Sequence, residues 1–537
     1  MTKTLIAAAL ATLLCGAAHA AEIVPLNADA AGTGLNDPTP IAPAGGNPGT
    51  TIGEQRRIAY QFAADLWGSI LQSDAQIRVQ ASFQPLRCDN TGTVLGSAGT
   101  SPIYILTEPG QPATLYHGAL SDALVGFDIQ NGAGVDIISR FNSSFGRTNP
   151  DGTACSPGSG WYYGLDGNTP AGLTNFLNVV MHEIAHGLGF SGFGNVVTGA
   201  PLAGYQDIYS RFVFDNNSQK RWYELDNAGR QQAVVGGNLV FRGNEVTTQV
   251  PLVLDDKFVL RASGTLGADY AYGTASFGPE ATPANFAGSV VVVDDGSAAP
   301  SLGCAASPAG AYAGKVAIVD RGSCAFEIKV KNAENAGAIA VIVANNAAGV
   351  IGMADDASVV ATVPALSVSQ ANGAAIKAAL PGVDIAMTQV PGLAGTDPLG
   401  FALLYAPNPV APGSSFSHYD ISSAPNALME PAINASLAAN LNVDLTPALF
   451  ADEGWSLNGG TARIGGTCDT GVDLVSEGGL IVGASVQAWD NLCHDHAATK
   501  ADYQACITGY KDRLESAGLL AGSQGGRIAN CAAKRKL

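Results

Sequence analysis

Three observations in the amino-acid sequence predict an α+β fold. Residues 54–71 carry a helix-period apolar stripe, Ile58, Phe62, Leu66 and Ile70. Strand-period alternation follows, with Ile77, Val79, Ala81 and Phe83 set against Arg78, Gln80 and Ser82. A second amphipathic helix is expected over 174–187, with Phe176, Leu177, Val180, Ile184 and Leu188 on its buried face and Gly187 and Gly189 ending it. Between the first strand and this helix, Val135-Asp136-Ile137-Ile138 reads as a further strand.

Composition sets the outer limits. The chain has 537 residues, enough for several domains, and 47% of them are hydrophobic, enough for sizeable cores. Only 13% are charged and the net charge is −18, which argues against nucleic acid or an anionic membrane surface as partner. The first twenty residues predict export. Lys3 gives a basic start, Leu5 to Leu14 an apolar run, and Ala18-His19-Ala20 a small-x-small cleavage site. The run is too short for a membrane anchor, and the leucine before Cys15 is a poor fit to a lipid-attachment site. A secreted or periplasmic protein with a signal peptide at 1–20 and no membrane span is therefore expected.

Eight cysteines remain after such cleavage, and an even number in an oxidising compartment predicts disulfides. Their local spacing suggests Cys88–Cys155 and Cys304–Cys324. The last four, Cys468, Cys493, Cys506 and Cys531, would pair as Cys468–Cys493 and Cys506–Cys531, or cross over. No C-x-x-C occurs, which argues against a cysteine zinc site. Residues 21–52 are rich in Pro, Gly, Ala and Asn without periodicity and read as an extended N-terminal arm. Residues 459–537, with four cysteines and helices expected at 500–510 and 511–517, read as a small disulfide-stapled module.

The second helix carries the chemistry. In His182-Glu183-Ile184-Ala185-His186 the two histidines lie one turn apart on one face, where both imidazoles can reach a single Zn²⁺. Glu183 then stands beside the open position as a general base. A catalytic zinc usually keeps three protein ligands. The common H-E-x-x-H-x-x-G-x-x-H spacing would put the third at position 192, which is Gly192. The remaining candidates are His418, a carboxylate such as Asp207 or Glu224, and His494 or His496. His494-Asp495-His496 reads more simply as a solvated turn, and His117 as a hydrogen-bonded loop histidine. No D-x-[DN]-x-[DN]-G loop occurs, so calcium is left open without being indicated.

Residues 266–390 differ in texture. Lys315-Val316-Ala317-Ile318-Val319-Asp320, a helix at 325–336 and Ala338-Ile339-Ala340-Val341-Ile342-Val343 form a β-α-β unit, followed by Val363-Pro364-Ala365-Leu366-Ser367-Val368-Ser369 and a short helix. In order and wording this segment resembles the protease-associated (PA) domain, whose presence suits the Cys304–Cys324 pair. Arg321, at the strand-to-helix turn, reads as structural rather than as an anion site.

The order of H-E-x-x-H-G-L-G-F, then Phe416-Ser417-His418-Tyr419, then Asn426-Ala427-Leu428-Met429-Glu430-Pro431 resembles the leishmanolysin-type metzincins. The resemblance implies that His182, His186 and His418 bind one catalytic zinc, that Glu183 is the base and that Met429 belongs to the Met-turn. Two departures stand out: the long gap to His418, and Tyr419 where Trp is common. The fold implied is a discontinuous metzincin-like zinc protease domain (53–265 and 391–458), with an inserted PA-type β-sandwich/α+β domain. The activity implied is endopeptidase cleavage of protein or peptide substrates. The alternative is a secreted protein-binding module that uses the PA segment on a vestigial protease scaffold. A surface or adhesive protein is a third reading, and zinc content separates it from the first.

Overall fold

A computed structural model describes residues 19–89, 92–353, 358–434 and 436–537. All but the last two residues of the expected signal peptide lie outside the described residues. The chain forms two compact units, one built from the chain up to Asp255 and from Gly395 to Leu537, the other from Asp256–Ala394.

The first unit is mixed α+β. Its main sheet contains β1 (Ile23–Asn27), β2 (Ile77–Gln84), β3 (Gly96–Thr100) and β4 (Ile137–Asn142), in the order β1-β2-β4-β3. The first three in that order run parallel, and β3 closes the edge antiparallel to β4. Every second residue of β2 from Ile77 to Phe83 is buried, as the alternation predicts. Helix α1 (Ile52–Ile70) starts where Thr51 accepts the Glu54 N–H and the Glu54 carboxylate accepts the Thr50 N–H in return. Its buried Trp67 donates to the carbonyl of Met181, and Tyr60 pairs with Ser139 on β4. Helix α2 (Gly118–Val125) and helix α3 (Phe176–Leu188) complete this part. Asn175 caps α3 by accepting from Leu177 and Asn178, worth about 1 kcal/mol.

Residues 21–52 are not the extended arm expected. Ile23–Asn27 pairs in parallel with β2, Asp29 accepts the N–H groups of Leu35 and Phe83, and buried Asn47 donates to Gln55 and Tyr163. Side-chain bonds to distant backbone hold this stretch, and such bonds leave no periodicity to read. The strand expected at 135–138 starts only at Ile137, and just before it the Asp136 carboxylate accepts the Arg78 N–H.

The C-terminal residues belong to the same unit and do not stand apart as a module. Helix Val482–His496 packs on α1, with Trp489 edge-on to Phe62 at 5.7 Å. The two helices expected at 500–510 and 511–517 are one, Lys500–Ser516. His494 and His496 lie in the last turn of helix Val482–His496, not in a solvated turn. Cys88–Cys155 and Cys304–Cys324 form as the spacing suggests. The last four cysteines are nested, Cys468–Cys531 around Cys493–Cys506, and neither sequential nor crossed. The inner bridge joins adjacent helices; the outer one ties the Cys468–Asp473 strand to the final helix, Gln524–Lys534.

The second unit holds an eight-stranded mixed sheet. At its centre Ala287–Val292, Val316–Asp320, Ala340–Ala344 and Ala365–Val368 run parallel. Val316, Ile318, Ala340 and Ile342 face one core; Ala317, Val319, Val341 and Val343 face another. Burial on both faces explains why these strands read as unbroken apolar runs. The unit is therefore α+β rather than a sandwich, and it starts before residue 266 because strand Asp256–Gly264 pairs with Val383–Leu393. Four disulfides among the described residues are consistent with an extracellular protein. No helix among the described residues is long and apolar enough to cross a membrane.

Candidate metal centre

Helix α3 presents His182, Glu183 and His186, all buried, and His418 meets them from a segment 232 residues beyond His186. The three Nε2 atoms form a triangle: His182 to His186 at 3.0 Å, and His418 to each of the other two at 3.3 Å. Two nitrogens held about 2.0–2.1 Å from a tetrahedral zinc stand roughly 3.3 Å apart, so the triangle has the size of one zinc-ligand face. Each ring is fixed from behind. Nδ1 of His182 donates to the Leu428 carbonyl at 2.7 Å, that of His186 to Phe190 at 2.8 Å, and that of His418 to Ser414 at 2.8 Å. This leaves every Nε2 lone pair pointing into the triangle. Among the described residues no other His, Cys, Asp and Glu side chains come together in this way.

The delivery of His418 explains the failed spacing at position 192. The Gly192 N–H donates to the Ser417 hydroxyl at 3.2 Å, and a Cβ on Gly192 would stand 2.4 Å from the Phe416 ring. The segment bearing His418 thus docks where a nearer ligand would have been carried.

Of the rival ligands, Asp207 is buried but accepts from Ser210 and Phe193, and Glu224 accepts the Arg221 N–H. His494 pairs with Asp495. His117 is not a loop residue: it ends a strand, fully buried, with Nε2 on the Ser191 hydroxyl at 2.9 Å. Met429 is fully buried and its carbonyl accepts the Tyr419 N–H.

Burial also sets the protonation. Loss of water pushes His182 down to about 3 and His186 to about 4, and it lowers His418 as well. A proton competes with a metal for the same lone pair. Zinc content after dialysis across acidic buffers should therefore hold to about pH 5, well below the 6.5 of a free imidazole. Half-loss near pH 6.5 would refute this. Glu183 shifts the other way: burial raises it to about 8 against the lowering effect of the Ala98 N–H, and its Oε2 has no partner.

Two supports of the site carry no sequence signal. Asp444 accepts the Leu428 N–H at 2.5 Å and so steadies the carbonyl that holds His182. Gly96 on β3 lies against Glu183: a Cβ there would stand 2.6 Å from Oε1 of Glu183 and 2.9 Å from its Cγ. If Glu183 serves as a general base beside a bound metal, a Gly96→Ala protein should keep that metal and lose about tenfold or more in kcat, because displacing a base by a fraction of an ångström is costly. Unchanged kcat would show that the base has room.

Comparison with known proteins identifies one part of the chain. The family model of the PA domain matches residues 286–376, so the second unit contains a PA domain. No curated protein sequence matches the chain. Among solved structures, a zinc aminopeptidase from Bacillus subtilis is 21% identical, with a TM-score of 0.19, over 27% of this chain and 36% of its own. An aminopeptidase from Aneurinibacillus sp. strain AM-1 is 21% identical, with a TM-score of 0.19, over 27% and 37%. A Peptidase M28 precursor from Shewanella amazonensis SB2B is 13% identical, with a TM-score of 0.18, over 26% and 39%. The chain thus spans little more than a third of each of these proteins, and likenesses of this size carry no argument about its catalytic part.

Proposed function

We propose that the protein is an exported zinc-dependent endopeptidase of the leishmanolysin-like metzincin type. The observation that carries this reading is the closed triangle of three Nε2 atoms beside a buried carboxylate with a free oxygen. His182, His186 and His418 would hold the ion. Zinc bound there would supply Lewis acidity, polarising the scissile carbonyl and easing deprotonation of water. Glu183 removes the proton of the attacking water and delivers it to the leaving amine.

The edge strand favours internal cleavage. β3 pairs with β4 on one side only, and the Ala98 N–H reaches the Glu183 carboxylate, which puts the unpaired edge of β3 along the site. An extended peptide can add to such an edge, running past the base without its amino terminus being needed. The test is hydrolysis of an N-terminally acetylated peptide by the zinc-loaded mature chain. Cleavage within the blocked peptide is expected. Cleavage of unblocked peptides alone, one residue at a time, would make it an aminopeptidase, and no cleavage of either would favour a binding role for the PA-containing unit.

A further inference from the structure

Residues 190–193 tie two of the three histidines together. The Phe190 carbonyl accepts the Nδ1–H of His186, and the Gly192 N–H reaches the Ser417 hydroxyl, next to His418. The other two residues of this segment are fastened to one strand, Thr114–His117, which is buried along its whole length. The Phe193 N–H donates to the Asp207 carboxylate at 3.1 Å, and Asp207 pairs with Leu115 of that strand. Ser191 meets His117 itself, with Oγ 2.9 Å from Nε2, while the Phe193 ring lies 4.6 Å from the imidazole.

Counting protons fixes the direction of the Ser191–His117 bond. The Ser191 hydroxyl has one hydrogen, and it donates to the His186 carbonyl at 3.2 Å. Its oxygen therefore accepts from His117, whose proton sits on Nε2. In the neutral ring Nδ1 is left as a bare acceptor, and among the described residues it has no partner. His117 is fully buried, so this orphaned nitrogen is costly. A phenylalanine or a leucine would fill the space without that cost. What the histidine adds is an Nε2–H aimed at Ser191.

We propose that His117 is a positioning residue for the metal centre and acts through Ser191. Its N–H holds the hydroxyl on the His186 carbonyl, which keeps the segment after α3 folded back on the ligand. The Phe190 carbonyl then stays where it aims the His186 ring into the triangle. His117 is not itself a member of the triangle. The inference rests on the zinc reading above and extends the support of the ligand outward by two hydrogen bonds. The competing account is that His117 only packs beneath Phe193.

The test is zinc affinity, read by chelator competition on the full mature chain, with the Tm of the metal-free protein to check that each variant folds. His117→Phe keeps a ring beside Phe193 and removes the donor. It should weaken zinc binding about three- to tenfold, less than the roughly 10–100-fold lost with a direct partner of a ligand. His117→Gln, which can present an N–H in the same direction, should stay within about twofold of the parent. Ser191→Ala should weaken zinc as His117→Phe does. The double variant should be no weaker than either alone, because both changes cut one chain of bonds. Parent-like affinity in His117→Phe would overturn the proposal. Losses that add in full in the double variant would overturn it too, since they would mark His117 as packing alone. If His117→Phe does not fold, His117→Asn, whose shorter amide stops short of Ser191, gives the same two outcomes. A parent that binds no zinc would defeat the zinc reading, and the proposal with it, before any variant is compared.

Discussion

A Glu183→Ala protein should retain its zinc and lose about 10²–10⁴-fold or more in the rate of peptide hydrolysis. The separation of the two properties follows from geometry. The triangle of Nε2 atoms is held through Nδ1 by the carbonyls of Leu428, Phe190 and Ser414, and none of those bonds passes through Glu183. The carboxylate therefore adds little to holding the ion and much to moving the proton. Metal analysis and steady-state hydrolysis on the same preparation measure the two halves. An Ala variant that turns over like the parent would sink the mechanism. One that loses zinc as well would mean that Glu183 is structural.

Replacing His418 should have the opposite signature. His418→Ala removes one of three nitrogens, and the expected fall in zinc affinity exceeds the 10–100-fold that loss of an outer hydrogen-bond partner costs. Activity should fall with occupancy. His494→Ala is the control, since His494 lies on the C-terminal helix beside Asp495 and outside the triangle. Equal zinc content in the His418 variant and the parent would reassign the third ligand.

The legible part of this protein is the part whose spacing is local. The burial face of α3, with both of its histidines and its glutamate, is written in thirteen consecutive residues. So are the apolar strands of the second unit, because burial on both faces forces unbroken runs. His418 needed a resemblance, since no spacing rule spans 232 residues. The strand at Ile23–Asn27 was hidden by its Pro- and Gly-rich surroundings, and helix Val482–His496 starts after Ile481 with no capping side chain to mark it. The nested bridges follow from that helix folding back on Lys500–Ser516, which brings Cys493 to Cys506 and leaves Cys468 and Cys531 to each other. Gly96 and Asp444 had no signal at all. Each matters through what stands opposite in space, a relation that one sequence does not display.

The long interval between His186 and His418 also imposes an order on the protein's birth. A chain emerging residue by residue completes α3, and with it two nitrogens and the base, well before the third nitrogen exists. All of Asp256–Ala394 must be synthesised, and as a compact unit is free to fold, before Ser414 and His418 emerge to close the triangle. On the proposed reading, a hydrolase that could attack its own half-made chain would gain its third histidine only after most of that chain has been made. On that reading, chain order by itself delays the onset of reactivity.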